Sequence, residues 1–172
     1  MTLTWSVGQR ITAARLNLRN PVEASKPGDT SRASTTTSTA DPDLVLVLKA
    51  NTTYNLMGQA YTTGGDNAGD FKYAWSWTNT GTVLMGAVGP HNSIASGSQG
   101  DAEWVFRAAD SASPSTDTPY ATSAGGVSVR INDRIIVGPA DVTLTLIWAQ
   151  QNSNATATVL KAGSWVTATP VA

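Results

Sequence analysis

The chain has 172 residues, a net charge of −1, 13% charged residues and no cysteine. That length suits one domain with a sizeable core plus an extension. The missing cysteines exclude disulfides, thiolate metal sites and a cysteine nucleophile, leaving the redox compartment open, and the small net charge excludes whole-molecule attraction to nucleic acid or an anionic membrane. Thr and Ser make up about a quarter of the residues, and β-branched Thr suits a pleated, half-buried surface, so the composition leans toward strands. Charge is uneven: Arg10, Arg15, Arg19, Lys26 and Arg32 face only Glu23 and Asp29 in the first 32 residues, which leaves +3 there and −4 over the rest.

In chain order, the N-terminus has no basic stretch leading into an apolar run, and no segment approaches the ~18 apolar residues of a spanning helix. Neither a signal peptide nor a membrane span is expected. Thr12 is placed to cap a short helix over Ala13 to Leu18, which Asn20-Pro21 would stop. So short a helix needs Ile11, Leu16 and Leu18 to dock on something, and a partner is the expected dock. Residues 23–43 are rich in Ser, Thr and Pro and poor in apolar residues, which predicts a linker that burial cannot repay.

From Leu44 onward strand signals recur at short spacing, bounded by Gly, Asn, Asp or Pro. Leu44 to Lys49 is an apolar run that predicts a strand covered on both faces. Thr53 to Thr62 follows, closed by a Gly64-Gly65-Asp66-Asn67 turn. Phe71, Tyr73, Trp75 and Trp77 then alternate with Lys72, Ala74, Ser76 and Thr78, so one face of that strand is wholly aromatic. Further strands are predicted at Thr82 to Val88, Ala102 to Arg107, Gly126 to Ile131 with Ile135 to Val137, Val142 to Gln150, Ala157 to Leu160 and Trp165 to Ala168. Residues 108–122 read as a long surface loop. About nine short strands without helical crossovers predict an all-β fold, an antiparallel β-sandwich or jelly roll over residues 44–172.

Signals for chemistry are weak. A Ser-His-Asp triad would have to use His91, which sits in a turn-like Gly-Pro-His-Asn without a nucleophile elbow and reads as a turn residue. The acid pairs Asp101 with Glu103 and Asp41 with Asp43 lie two apart and share a strand face, as period-two acids on solvated strands commonly do. Asp66 to Asp70 offers oxygen ligands to calcium but lacks the spacing and closing Glu of an EF-hand, and reads as a turn. Asn51 and Asn154 begin glycosylation sequons that mean little without a secretion signal. No enzyme, metal or cofactor is expected. The aromatic row is either a sandwich core, the leading reading, or a stacking platform for sugars or bases. Phe71, Tyr73, Trp75, Trp77, Trp104 and Trp165 are thus the candidates for a ligand or subunit interface.

The opening Trp5-Ser-Val-Gly-Gln-Arg-Ile-Thr-Ala-Ala-Arg-Leu-Asn resembles the start of many tailed-phage tail-fibre and minor tail proteins, with Gly8, Ile11, Thr12, Ala13, Leu16 and Asn17 matching. The remainder is similar to small virion proteins of actinobacteriophages: Asp43-Leu44, Ala50-Asn51-Thr52-Thr53-Tyr54, Asp70-Phe71-Lys72, Trp148-Ala149-Gln150 and Ala162-Gly163-Ser164-Trp165. The resemblance implies a virion structural protein assembled in the host cytoplasm, of minor tail or head-decoration type, whose β domain tends to form a homotrimer. Residues 1–22 would then anchor to other virion proteins, a tail, baseplate or major capsid component, through Trp5, Ile11, Arg15, Leu16 and Asn17. A host cell-surface glycan is the further expected partner; nucleic acid is not. A carbohydrate-binding module using Trp75, Trp77, Trp104 or Trp165 is the rival from another class.

Overall fold

The computed structural model describes Val7, Gly8, Arg10, Thr12 and residues 20–65, 69–91, 104–111, 115 and 117–171. Among them it forms twelve strands and no helix: β1 (Val22–Ser25), β2 (Thr30–Arg32), β3 (Thr39–Leu48), β4 (Thr53–Thr63), β5 (Phe71–Trp77), β6 (Gly81–Pro90), β7 (Trp104–Ser111), β8 (Thr118–Tyr120), β9 (Val127–Val137), β10 (Val142–Ala149), β11 (Thr158–Leu160) and β12 (Trp165–Val171). All pair antiparallel, as short connections without crossovers require. An eight-stranded sheet runs β1-β12-β4-β9-β6-β7 with β11 and β2 alongside, and a four-stranded sheet runs β3-β10-β5-β8. One core cluster takes residues from both, so the fold is β-sandwich-like. The expected anchor residues Trp5, Ile11, Arg15, Leu16 and Asn17, with the helix over 13–18, lie outside the described residues.

The expected linker is corrected. Residues 22–43 carry β1, β2 and the start of β3, and Lys26 and Asp41 within them are buried. Polar composition misled because this stretch is fixed by pairing and buried charge rather than by apolar burial. β1 lies on β12 from Val22↔Ala168 to Ser25↔Trp165, and β2 lies on β11. Likewise β8 interrupts the expected loop over 108–122 and pairs with β5. β3 is covered on one face only: Leu44, Leu46 and Leu48 are buried while Val47 is exposed.

The aromatic row is the centre of the core. Phe71, Tyr73, Trp75 and Trp77 are buried, and Trp148 of β10 packs on Phe71 with ring centroids 5.8 Å apart. Tyr73 stacks on Tyr120 at 6.2 Å. Tyr120 in turn needs Gly89 on β6, where a Cβ would lie 2.5 Å from the ring. Burial raises the Tyr73 hydroxyl well above its ordinary pKa and pushes Tyr120 up to about 12.

One carboxylate sits inside this core. β9 buries Val129, Ile131, Asp133, Ile135 and Val137 in strict alternation, so Asp133 faces inward with its apolar neighbours. It accepts hydrogen bonds from Trp75 Nε1 at 2.6 Å, Tyr73 Oη at 3.3 Å and the Gly86 amide at 2.7 Å. Asp133 thereby ties the large sheet to the small one. Burial raises its pKa, and the three donors only partly offset that.

Candidate functional site

Two places outside the apolar core draw polar and aromatic side chains together: the outer face of the large sheet and the junction between β1 and β3.

The outer face follows from strand parity. With Leu56, Ala60, Val129, Ile131, Val166 and Ala168 turned inward, the alternate residues must face out. Register then lines up Trp165 with Gln59, Gln59 with Arg130, Arg130 with Val88 and Val88 with Phe106, one row across β12, β4, β9, β6 and β7. Phe106 is 62% exposed and Trp104, two residues before it on the same face, 59%. Met57, Leu84 and Ile136 add exposed apolar surface on this face, and Arg134 stands beside them as an exposed residue of β9. β7 is also the end strand of its sheet, pairing only with β6 among the described residues. A cleft of about 500 Å³ lies where Tyr61, Pro90, Trp104, Val127 and Lys161 meet.

Of the six aromatic candidates, Trp104 and Trp165 stand on this surface. Phe71, Tyr73, Trp75 and Trp77 do not, because they fill the space between the sheets, and this corrects their assignment to a ligand or subunit interface. Sequence reading missed Phe106, Met57 and Arg130. Their signal was parity: each is the outward alternate of a strand whose inward residues are apolar.

The second place is built by a bulge. β3 pairs Val45 with Thr145 and then Ala40 with Ile147, so Asp41, Pro42 and Asp43 loop out of the ladder. Pro42 is tolerated there because β3 is an edge strand. The bulge brings both acids onto Lys26, which follows β1. Lys26 Nζ lies 3.1 and 2.9 Å from the two Asp41 carboxylate oxygens, 2.9 Å from Asp43 Oδ2 and 2.7 Å from Thr30 Oγ1. The side chains of Lys26 and Asp41 are fully buried, whereas Asp43 keeps 28% exposure. The Asp43 and Leu44 amides donate to Asp41 Oδ1 at 3.1 and 3.2 Å, and Trp148 Nε1 donates to Oδ2 at 3.2 Å. Arg32 lies 4.1 Å from the Trp148 ring centroid and donates to the backbone oxygens of Thr39, Ala40 and Trp148. The sequence pairs Asp41 with Asp43 by spacing alone, and Lys26, fifteen residues before Asp41, carries no signal of joining them.

Other candidates stand apart. His91 directly follows β6 and is half-buried. Asp70 turns its carboxylate to the Thr122 amide at 3.3 Å, and burial raises its pKa. Residues 66–68 of that loop, and Asp101 with Glu103, lie outside the described residues. Among the described residues no three His, Asp or Glu side chains come together as a metal site would need, and no helix is long and apolar enough to cross a membrane.

Fold and surface together define an antiparallel, β-sandwich-like protein with an aromatic and arginine-bearing outer face on its larger sheet. No protein-family model matches the sequence, and a search of curated proteins gives no match.

Proposed function

We propose that this chain is a structural protein of a tailed-phage virion, held to the particle by its N-terminal segment and projecting its β domain, a jelly-roll-type sandwich, outward. The observation that carries the reading is the outer face of the large sheet. It exposes Trp104 and Phe106 side by side on β7, with Met57, Leu84 and Ile136 further along the same face and Arg130 and Arg134 between them, which is the composition of a contact surface rather than of a free one. A homotrimer packed through this face covers it and shields the end strand β7, whose outer edge pairs with none of the described residues and so invites strand addition. The resemblance of Trp5 to Asn17 to phage tail proteins supplies the anchor. β1 begins five residues after Asn17, at Val22.

Attachment as a minor tail component leads, and decoration of the capsid is the alternative within the same reading. Antibody labelling of purified particles is expected to mark the tail tip, with a trimeric mass for the isolated protein; label spread over the head selects decoration, and particles without label overturn the proposal. Removal of residues 1–20 is expected to abolish incorporation while the β domain stays folded.

A glycan-binding role is favoured by one observation, the exposed Trp104 beside the cleft with Tyr61 and Lys161. On that reading cell-wall glycans shift the tryptophan fluorescence, and Trp104→Ala removes the shift without altering the unfolding midpoint.

A further inference from the structure

We propose that Lys26 and Asp41 become joined by an intramolecular amide bond, formed by the folded chain itself with Asp43 as the proton carrier. This inference stands on the β1–β3 junction alone and is independent of the virion reading.

Three parts of the geometry carry it. An atom within hydrogen-bond distance of both oxygens of one carboxylate lies within about 3.5 Å of its carbon, which is the separation of a near-attack arrangement. Lys26 cannot drift away, because its amide donates to Ser164 O at 2.8 Å and its carbonyl accepts from the Gly163 amide at 2.9 Å. Asp41 is held with equal firmness: two backbone amides converge on Oδ1 and an indole N–H on Oδ2. Two amides on the oxygen that gains charge as the amine adds form an oxyanion hole, and no donor has to move to build it. The third part is burial. The side chains of Lys26 and Asp41 are both removed from water, so solvent neither competes for their contacts nor reaches the reacting carbon.

The step balances with no outside reagent. A proton passes from the Lys26 ammonium to the Asp41 carboxylate, leaving an amine and a carboxylic acid. The Nζ lone pair adds to Asp41 Cγ, and negative charge collects on Oδ1 facing the Asp43 and Leu44 amides. The Asp43 carboxylate, 2.9 Å from Nζ, takes a proton from the nitrogen and returns it to Oδ2. The Cγ–Oδ2 bond breaks, water leaves and the amide remains. Asp43 ends as it began, and its partial exposure gives the water a way out. One N–C bond forms, one C–O bond breaks, and nothing is oxidised or reduced.

The product ties β1, the end strand of the large sheet, to β3, the end strand of the small one. It closes that edge of the sandwich next to the N-terminal segment, so a pull that peels the four residues of β1 off β12 is stopped at Lys26, where the covalent bond passes the load into β3.

Intact-mass measurement of the purified full chain, unfolded just before analysis, tests this. The expected mass is lower than the sequence mass by one water, and peptide mapping is expected to find Lys26 and Asp41 in one branched fragment. Lys26→Ala and Asp41→Ala each restore the full sequence mass. Asp41→Asn forms the same amide with loss of ammonia, and therefore ends at the wild-type mass. In Asp43→Ala, with both reacting side chains kept, the loss of water slows at least tenfold. A wild-type chain that holds its full sequence mass after prolonged incubation in the folded state overturns the proposal, and the three side chains are then an ion-pair cluster only.

Discussion

Asp133→Ala is expected to destabilise the fold by about 3 kcal/mol or more, a large share of the ~5–15 kcal/mol that holds a typical domain together. Three donors lose their acceptor at once: Trp75 Nε1, Tyr73 Oη and the Gly86 amide. The hydroxyl can turn toward another partner, but the indole N–H and the backbone amide are fixed, and a buried unsatisfied donor costs about 1–3 kcal/mol. Asp133→Asn keeps the shape and one acceptor oxygen, so its loss is expected to be smaller. Urea unfolding followed by fluorescence measures both. The pair also predicts a pH dependence. Burial raises the Asp133 pKa in the folded chain above its unfolded value, so the folded state binds this proton more tightly. Its contribution is complete below the unfolded pKa and is lost as pH rises through the folded one. Wild type should therefore lose stability relative to Asp133→Asn as pH climbs out of the acid range. A difference that does not vary with pH there would show that the carboxyl is not held protonated by its surroundings.

Trp148→Ala is the second large effect, at about 3–5 kcal/mol for a fully buried aromatic side chain replaced by a methyl group. Its ring packs on Phe71 and carries Arg32, and its N–H reaches Asp41. The cavity does not collapse readily, since β10 lies between β3 and β5 and is held by both. The urea midpoint is expected to fall with little change in slope, because the surface exposed on unfolding hardly alters. Trp148→Phe keeps most of the packing and drops the indole donor, which separates the two contributions. A loss below ~1 kcal/mol for the alanine variant would mean that the sheets close over the gap.

How much of this was legible in the residues depends on what fixes each element. Strands with alternating apolar residues were found nearly to the residue, as with Phe71–Trp77 and Val142–Ala149. β9 was broken in two at Asn132-Asp133-Arg134 because a polar triplet resembles a turn. Parity holds straight through it, and Asp133 occupies the inward position that Ile131 and Ile135 predict. The short strands β1, β2 and β8 gave little signal, since three or four residues next to an edge bury too little side chain to mark a period. The meeting of Lys26 with Asp41 and Asp43 was not legible at all. It depends on a bulge in β3 and on which edges of two sheets lie side by side, and pairwise sequence spacing carries neither. The outer face was half legible: Trp104 and Trp165 were singled out for being tryptophans, whereas Phe106 and Arg130 needed the register to join them.

The strand order also dictates when the molecule can become itself. β3 and β5 do not pair with each other; β3 waits for β10, which begins at Val142, β5 waits for β8 and β10, and β1 waits for β12, which begins at Trp165. A ribosome that has delivered two thirds of the sequence has therefore released strands whose partners do not yet exist. Pairings this distant in sequence are slow to find and leave edges open to neighbouring nascent chains. The sandwich cannot close before β10 and β12 have been made, and a chaperone that shields β3 to β5 until then should raise the yield of folded protein.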